Sequence, residues 1–157
     1  MLPIKLTFES ALESSPAEAW AHITSLKGIS REMWPYLRMT APAGVENISS
    51  LDVAPGQPLF YSRLYLLGVI PIGHSCLTLV ELKHGEGFVE QSPMSWMRLW
   101  RHERRILPAE RGCVVTDRLT FHPLWAAGIA AFFVRILFNR RHAVLRRLLG
   151  GSRASPP

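Results

Sequence analysis

The segment 123–149, PLWAAGIAAFFVRILFNRRHAVLRRLL, constrains the fold more than any other part of the chain. Pro123 can open a helix and Gly150-Gly151 can close it, with only Gly128 between them to weaken it. At ~100° per residue, Phe133, Val134, Leu137, Val144 and Leu148 fall on one side, while Arg135, Asn139, His142 and Arg146 fall on the other. From Leu124 to Val134 the residues are apolar almost all round, which suits a helix held inside the protein. At ~1.5 Å per residue it would run roughly 40 Å. A bilayer span needs ~20 apolar residues; this run is shorter and contains Arg135. The prediction is a soluble-domain helix gripped by a sheet.

The rest of the chain supplies that sheet. Ile4, Leu6 and Phe8 alternate with Lys5, Thr7 and Glu9, the period of a half-buried strand. Ser15-Pro16-Ala17-Glu18 then reads as a capping box with proline at the first helical position. The helix it opens should carry Trp20 and Ile23 on one side and stop near Gly28. A second short helix is expected over Ser30–Leu37, cut or kinked at Pro35. Residues 40–57 are rich in Ala, Pro, Gly, Ser and Asn and read mostly as a loop, of a length that often serves as a lid. Strands are predicted over 59–67, 72–83, 88–91, 96–107 and 113–122, each bounded by turn residues, which implies an antiparallel meander. A bent sheet with one apolar face needs a cover, and only the last helix is long and apolar enough.

The 157 residues suit one domain, expected over 1–150, followed by a disordered C-terminal tail over 151–157. Met1-Leu2-Pro3 leads directly into strand-like sequence without a secretory or transit pattern, so a cytoplasmic protein is expected. In that setting Cys76 and Cys113 read as free thiols and the Asn47-Ile48-Ser49 sequon carries no meaning. The net charge of +6 is uneven: no acidic residue follows Asp117, whereas Arg118, Arg135, Arg140, Arg141, Arg146, Arg147 and Arg153 do. Such a helix can meet anionic lipid or an acidic partner, or can simply present a solvated face whose arginines complement the helix dipole. No nucleic-acid motif accompanies the charge, and no nucleic-acid partner is expected.

The order of elements, together with particular residues, resembles the SRPBCC superfamily of START-like, helix-grip proteins. This superfamily includes polyketide cyclase/dehydrase-like and birch-pollen-allergen-like domains. The residues that carry the resemblance are Ser15 to Trp20 after the first strand and Trp100 to Ile106 on the penultimate strand. Thr116 to Phe121 on the last strand and Phe138 to His142 on the final helix complete it. The resemblance implies an α+β helix-grip fold: a strongly curved antiparallel sheet of about six or seven strands around the long C-terminal helix, with two short helices after the first strand. It also implies a deep cavity that holds an apolar or amphipathic small molecule, but no single chemistry.

Period two places Trp96, Arg98, Trp100, His102, Arg104 and Ile106 on one face of their strand, and Val115, Asp117, Leu119 and Phe121 on one face of the next. The helical wheel puts Arg141 on the buried side among Val134, Leu137 and Leu148, where its guanidinium needs a partner such as Asp117 or Glu90, with Phe133 and Leu137 as further candidate wall. His102, Arg104, Asp117 and Arg141 are thus predicted to form a polar cluster. The cluster could be a self-satisfied network, could orient the head of a ligand, or could supply acid–base catalysis with His102 poised by Asp117. Tyr61, Arg63 and Tyr65 share one strand face, and His74, Cys76 and Thr78 another; both are candidate cavity walls, with Trp96 and Trp100 as apolar wall. The six histidines are scattered, and no GxSxG, CxxC or phosphate loop occurs. No metal or cofactor is expected. The ligand reading leads to a carrier of a lipid, quinone or polyketide-like molecule. The catalytic reading leads to a cyclase or dehydratase, and the basic helix leads to peripheral membrane or partner docking.

Overall fold

The computed structural model describes residues 1–153. Strand β1 (Ile4–Leu12) leads into α1 (Pro16–Thr24), which starts on the expected capping box. Glu18 N donates to Ser15 Oγ at 3.2 Å, and Ser15 N donates to Glu18 Oε2 at 2.8 Å. This helix stops at Thr24 rather than near Gly28. The backbone becomes extended at Ser25, whose side chain accepts from Gly28 N and caps α2 (Leu26–Met33). Gly28 is needed for close packing, because a Cβ there would lie 2.3 Å from the carbonyl oxygen of His22. Leu37, expected in the second helix, instead begins strand β2 (Leu37–Met39). The break falls at Trp34-Pro35, as the restriction on a residue preceding proline requires.

Residues 40–57 are fastened to the body of the protein. Leu26 N donates to the Glu46 carbonyl and Gly56 N to that of Leu79, both at 2.9 Å. Between these ties a 3-10 turn at Ile48–Ser50 buries Ile48. The meander follows as β3 (Pro58–Leu66), β4 (Ile70–Lys83), β5 (Gly87–Gln91), β6 (Met97–Pro108) and β7 (Cys113–Pro123). Helix α3 (Ala127–Leu149) and β8 (Gly151–Arg153) complete the chain. The curved, fully antiparallel sheet has the order β2-β3-β4-β5-β6-β7-β1-β8. Among the described residues it has eight strands instead of six or seven, because both β2 and β8 add edges. The tail expected from residue 151 is therefore partly sheet: Gly151 pairs with Leu12 and Arg153 with Ser10. Its last four residues, 154–157, lie outside the described residues.

Helix α3 is gripped along its length on one face, and more completely in its second half. Pro123 ends β7, and the helix begins after Ala126, which sits at φ 51°. Phe138, Val144 and Leu145 are fully buried, whereas Ile129 and Phe132 are 73% and 65% exposed. The apolar first half is thus held on one side only: Ala131 and Val134 are buried in the core, while Ile129 and Phe132 face solvent. His142, expected on the outer side, is buried, and Leu148, expected inside, is 40% exposed. Phe138, Arg141, His142 and Leu145 form the true inner stripe, the i, i+3, i+4, i+7 spacing of a helix face. Among the described residues no helix is long and apolar enough to cross a membrane.

Candidate ligand-binding site

Between the sheet and α3 lies a cavity of about 520 Å³, within the ~300–1,000 Å³ usual for small-molecule sites. Its wall is mainly aliphatic and aromatic. Phe60, Leu64 and Leu66 come from β3, Leu77 and Leu79 from β4, and Trp100 from β6. Phe133, Val134 and Leu137 close it from α3. Three titratable side chains reach the wall: Glu90, His102 and Arg141. Ser30, Ala41, Pro71, Trp96, Trp125 and Ile129 line the cavity and are also exposed, so they mark its opening.

Strand register explains the polar end. Glu90 stands opposite His102 across β5–β6, and Arg104 opposite Asp117 across β6–β7. As expected, Trp100, His102, Arg104 and Ile106 all point inward, as do Val115, Asp117, Leu119 and Phe121. The inward run fails at its start. A bulge between Met97 and Leu99 turns Arg98 out, and Trp96 takes a positive φ at the rim.

The buried groups satisfy one another around Asp117. Arg104 donates from Nε to Asp117 Oδ1 at 2.7 Å and from Nη2 to Oδ2 at 2.6 Å, a bidentate fork. Its Nη1 donates to Glu32 Oε1 at 2.8 Å. His102 Nε2 lies 2.7 Å from Asp117 Oδ1, and His142 Nε2 lies 2.9 Å from Oδ2. Burial pushes the Asp117 carboxyl up, but the charges of Arg104 and His102 and their hydrogen bonds hold it well below the usual range. An ionised carboxylate only accepts, so both imidazoles present Nε2–H to it. His142 Nδ1 is then an acceptor for the hydroxyl of Ser10, 2.8 Å away.

His102 Nδ1 faces Glu90 Oε2 at 3.5 Å. That separation is within ion-pair range for a protonated imidazole. The other Glu90 oxygen accepts from Ser92 Oγ at 2.7 Å. Burial raises the Glu90 carboxyl, yet His102, Ser92 and Arg141 together hold it below its ordinary value. The carboxylates of Glu32, Glu90 and Asp117 thus face the guanidinium groups of Arg104 and Arg141 and the imidazoles of His22, His102 and His142.

Two atoms at the edge of the network, Glu32 Oε2 and His22 Nε2, are buried without a hydrogen bond, and Arg141 is held by one long bond only. Its Nε donates to Glu32 Oε1 at 3.3 Å, and its guanidinium carbon lies 4.9 Å from the centre of the Phe138 ring. Its terminal nitrogens have no hydrogen bond among the described residues, although the residue is only 7% exposed.

Of the residues singled out from the sequence, Glu90, Trp96, Trp100, His102, Phe133, Leu137 and Arg141 line the cavity. Arg104 and Asp117 do not; they sit behind the wall, fully buried, and hold His102 in place. Tyr61, Arg63 and His74 point outward and are exposed, and Tyr65 lies beneath Arg38 on the outer face. The inward set on β3 is the complementary one, beginning with Phe60 and Ser62, so the wall there is one residue out of the expected register. Thr78 is buried but also off the wall, bonded to Ser92 and the Cys76 carbonyl. Sequence reasoning missed Glu32, Ser10, Ser92 and His142. The Phe138–Leu145 spacing could have revealed His142; nothing local marks Glu32. Among the described residues no group of three or more His, Cys, Asp or Glu side chains is arranged to hold a metal ion.

The fold is shared with solved structures of low sequence identity. Protein Ms6760 from Mycobacterium smegmatis aligns with TM-score 0.65 and 12% identity, over 98% of this chain and 93% of its own. Ara h 8.0201 aligns with TM-score 0.56 and 11% identity, over 91% and 98%. DynU16, a protein of the dynemicin biosynthetic locus, aligns with TM-score 0.54 and 8% identity, over 93% of this chain and 48% of that one. These likenesses establish the SRPBCC-like helix-grip fold. No curated protein matches the sequence. The model of one family covers residues 10–149, and the chain therefore belongs to the family described as Domain of unknown function (DUF8410).

Proposed function

We propose that this protein binds and holds a small amphipathic molecule, with its hydrocarbon body along the apolar wall and its polar head at Arg141, Glu90 and His102. One observation carries the reading: an apolar cavity ends at the Arg141 guanidinium, which lines it and whose terminal N–H groups have no protein partner among the described residues. A ligand oxygen in the cavity could accept from them. Burying roughly 300 Å² of ligand surface at ~25 cal/mol/Å² gives about 7 kcal/mol gross, before the costs of association. The helix-grip likeness to Ara h 8.0201 and DynU16 supports the architecture of such a site. A lipid, quinone or polyketide-like molecule meets the description.

The test is native mass spectrometry of the freshly purified protein, solvent extraction of any bound species, and thermal shifts with panels of those three classes. A co-purifying apolar species, or a ligand that raises the Tm with its concentration, supports the reading. A clean mass together with an unmoved Tm at saturation rejects it.

A second reading, a cyclase- or dehydratase-type activity on a polyketide-like carbonyl compound, is favoured by the contact of Glu90 with His102 at the cavity wall. Arg141 would polarise the carbonyl and the Glu90–His102 pair would exchange a proton. Under this reading His102→Ala abolishes turnover of an extracted substrate while leaving its binding largely intact. Unchanged turnover removes the reading.

A further inference from the structure

The opening of the cavity is surrounded by large apolar side chains that face solvent. At the β3–β4 turn, Leu67, Val69 and Ile70 are exposed, Val69 by 74%. Trp34 belongs with them, since a Cβ on Gly68 would lie 2.6 Å from its ring. Across the opening, Trp96 and Trp125 meet edge to face at 5.4 Å, and Leu124 N donates to the Trp96 carbonyl. Ile129 and Phe132 extend this side along the first turns of α3. Isolated apolar residues on a surface need no explanation, but a contiguous rim of this kind does.

The charge around the rim has one sign. The segments that build it are 25–40, 60–74, 92–102 and 118–140, and their only acidic residue is Glu32, which is fully buried. Their cations are outside. Arg38 Nε donates to the Gly68 carbonyl at 2.9 Å and Arg140 Nε to the Trp34 carbonyl at 3.1 Å, so both stand against the apolar residues. Arg98 and Arg135 are exposed close by, two residues from Trp96 and three from Phe132.

We infer that this rim is a docking face for an anionic bilayer. Tryptophans and aliphatic side chains enter the headgroup–acyl boundary while the surrounding arginines meet lipid phosphates. The occupant is a bilayer because an apolar cavity opens at the centre of the patch and every exposed charge in those four segments is positive. The basic C-terminal turns of α3, which the sequence alone suggests for this role, lie at the other end of the helix. Docking stands independently of the cavity reading. If that reading also holds, an apolar molecule can pass between membrane and cavity without crossing water.

The experiment is co-sedimentation of the full chain with vesicles of phosphatidylcholine alone or mixed with phosphatidylglycerol, at salt from about 0.05 to 0.5 M. The comparison set is wild type, Val69→Ser/Phe132→Ser and Arg147→Glu. Val69 and Phe132 are exposed on separate elements and neither lines the cavity, so ligand-induced thermal shifts serve as an independent check of the cavity. The expected result is binding to the anionic vesicles that weakens with salt, a blue shift of tryptophan emission, and about a tenfold loss in Val69→Ser/Phe132→Ser. Arg147→Glu should bind like wild type. The inference is overturned by no binding to either vesicle, or by loss in Arg147→Glu with wild-type binding in the double variant. A dimer in sedimentation velocity that the double variant dissolves would also overturn it, since a second copy would then cover the rim.

Discussion

Arg104 and Asp117 face each other across β6 and β7, and the guanidinium grips both carboxylate oxygens at 2.7 and 2.6 Å with neither residue exposed to solvent. Removing one partner leaves the other charge buried and unpaired, which typically costs about 3–5 kcal/mol. Arg104→Met and Asp117→Leu should each show that loss in urea unfolding, whereas the double substitution should recover much of it. Equal losses in single and double variants would mean that Glu32, His102 and His142 need the pair as much as it needs them.

Asp117 also gives the protein an acid limit. Its carboxyl is held well below the ordinary value, so the folded state binds a proton there less readily than the unfolded chain. The stabilisation is full above the unfolded value of about 4 and declines as pH falls through the folded one. His22 adds a higher window. Burial lowers its value, opposed in part by Glu32, whose Oε2 lies 3.6 Å away, and reinforced by Arg104, Arg31 and Arg141. Stability should therefore fall as pH drops below about 6.5, and His22→Gln should flatten that part of the Tm-versus-pH curve. An unchanged slope would exclude His22 as its source.

Arg141→Met keeps the bulk on the cavity wall and removes the donors. It should weaken a ligand with a carbonyl or hydroxyl head by about tenfold or more, and leave a plain hydrocarbon probe unchanged. Titration calorimetry with both kinds of probe checks this, and equal weakening of the two would exclude a polar role for the guanidinium.

Leu64 is buried on the wall of β3. Leu64→Trp should fill the cavity and abolish ligand-induced thermal shifts while leaving far-UV circular dichroism unchanged. Retained shifts would place the ligand elsewhere.

The two thiols should differ in reactivity. Cys113 is fully buried, and burial pushes its thiol up with only partial relief from Ser14; Cys76 is half-buried on β4. An aromatic disulfide reagent should label Cys76 first, with Cys113 reacting only upon unfolding.

The helix-grip order and the inward faces of β6 and β7 were legible because period two runs unbroken from Trp100 to Ile106 and from Val115 to Phe121. The walls contributed by β3 and β4 were not. Both faces of β3 carry large apolar bodies, and the aromatic face turned out to be the outer one, with Tyr65 under Arg38. Irregular pairing between Leu64 and Tyr65, together with Gly73 at φ 135°, shifts β4 against β3 and breaks any simple alternation there. Glu32 was invisible for a different reason. Its helix looks solvated in isolation, and only the approach of Arg104 and Arg141 from distant elements makes a buried carboxylate there tolerable. The helical wheel erred at His142 because it weighed side-chain polarity, whereas Asp117 and Ser10 make an inward imidazole favourable.

The attachment of α3 also sets its mechanics. Its C-terminal half is tied down by His142 on Asp117, by Arg146 on Ser10, and by β8, which carries the chain straight back to β1. Its first half is seated by packing instead, with Ala131, Val134 and Leu137 in the apolar core and Leu124 N on the Trp96 carbonyl just before it. Two different forces therefore hold the two halves, and acid that protonates Asp117 would loosen the C-terminal half while leaving the apolar seat of the first half in place.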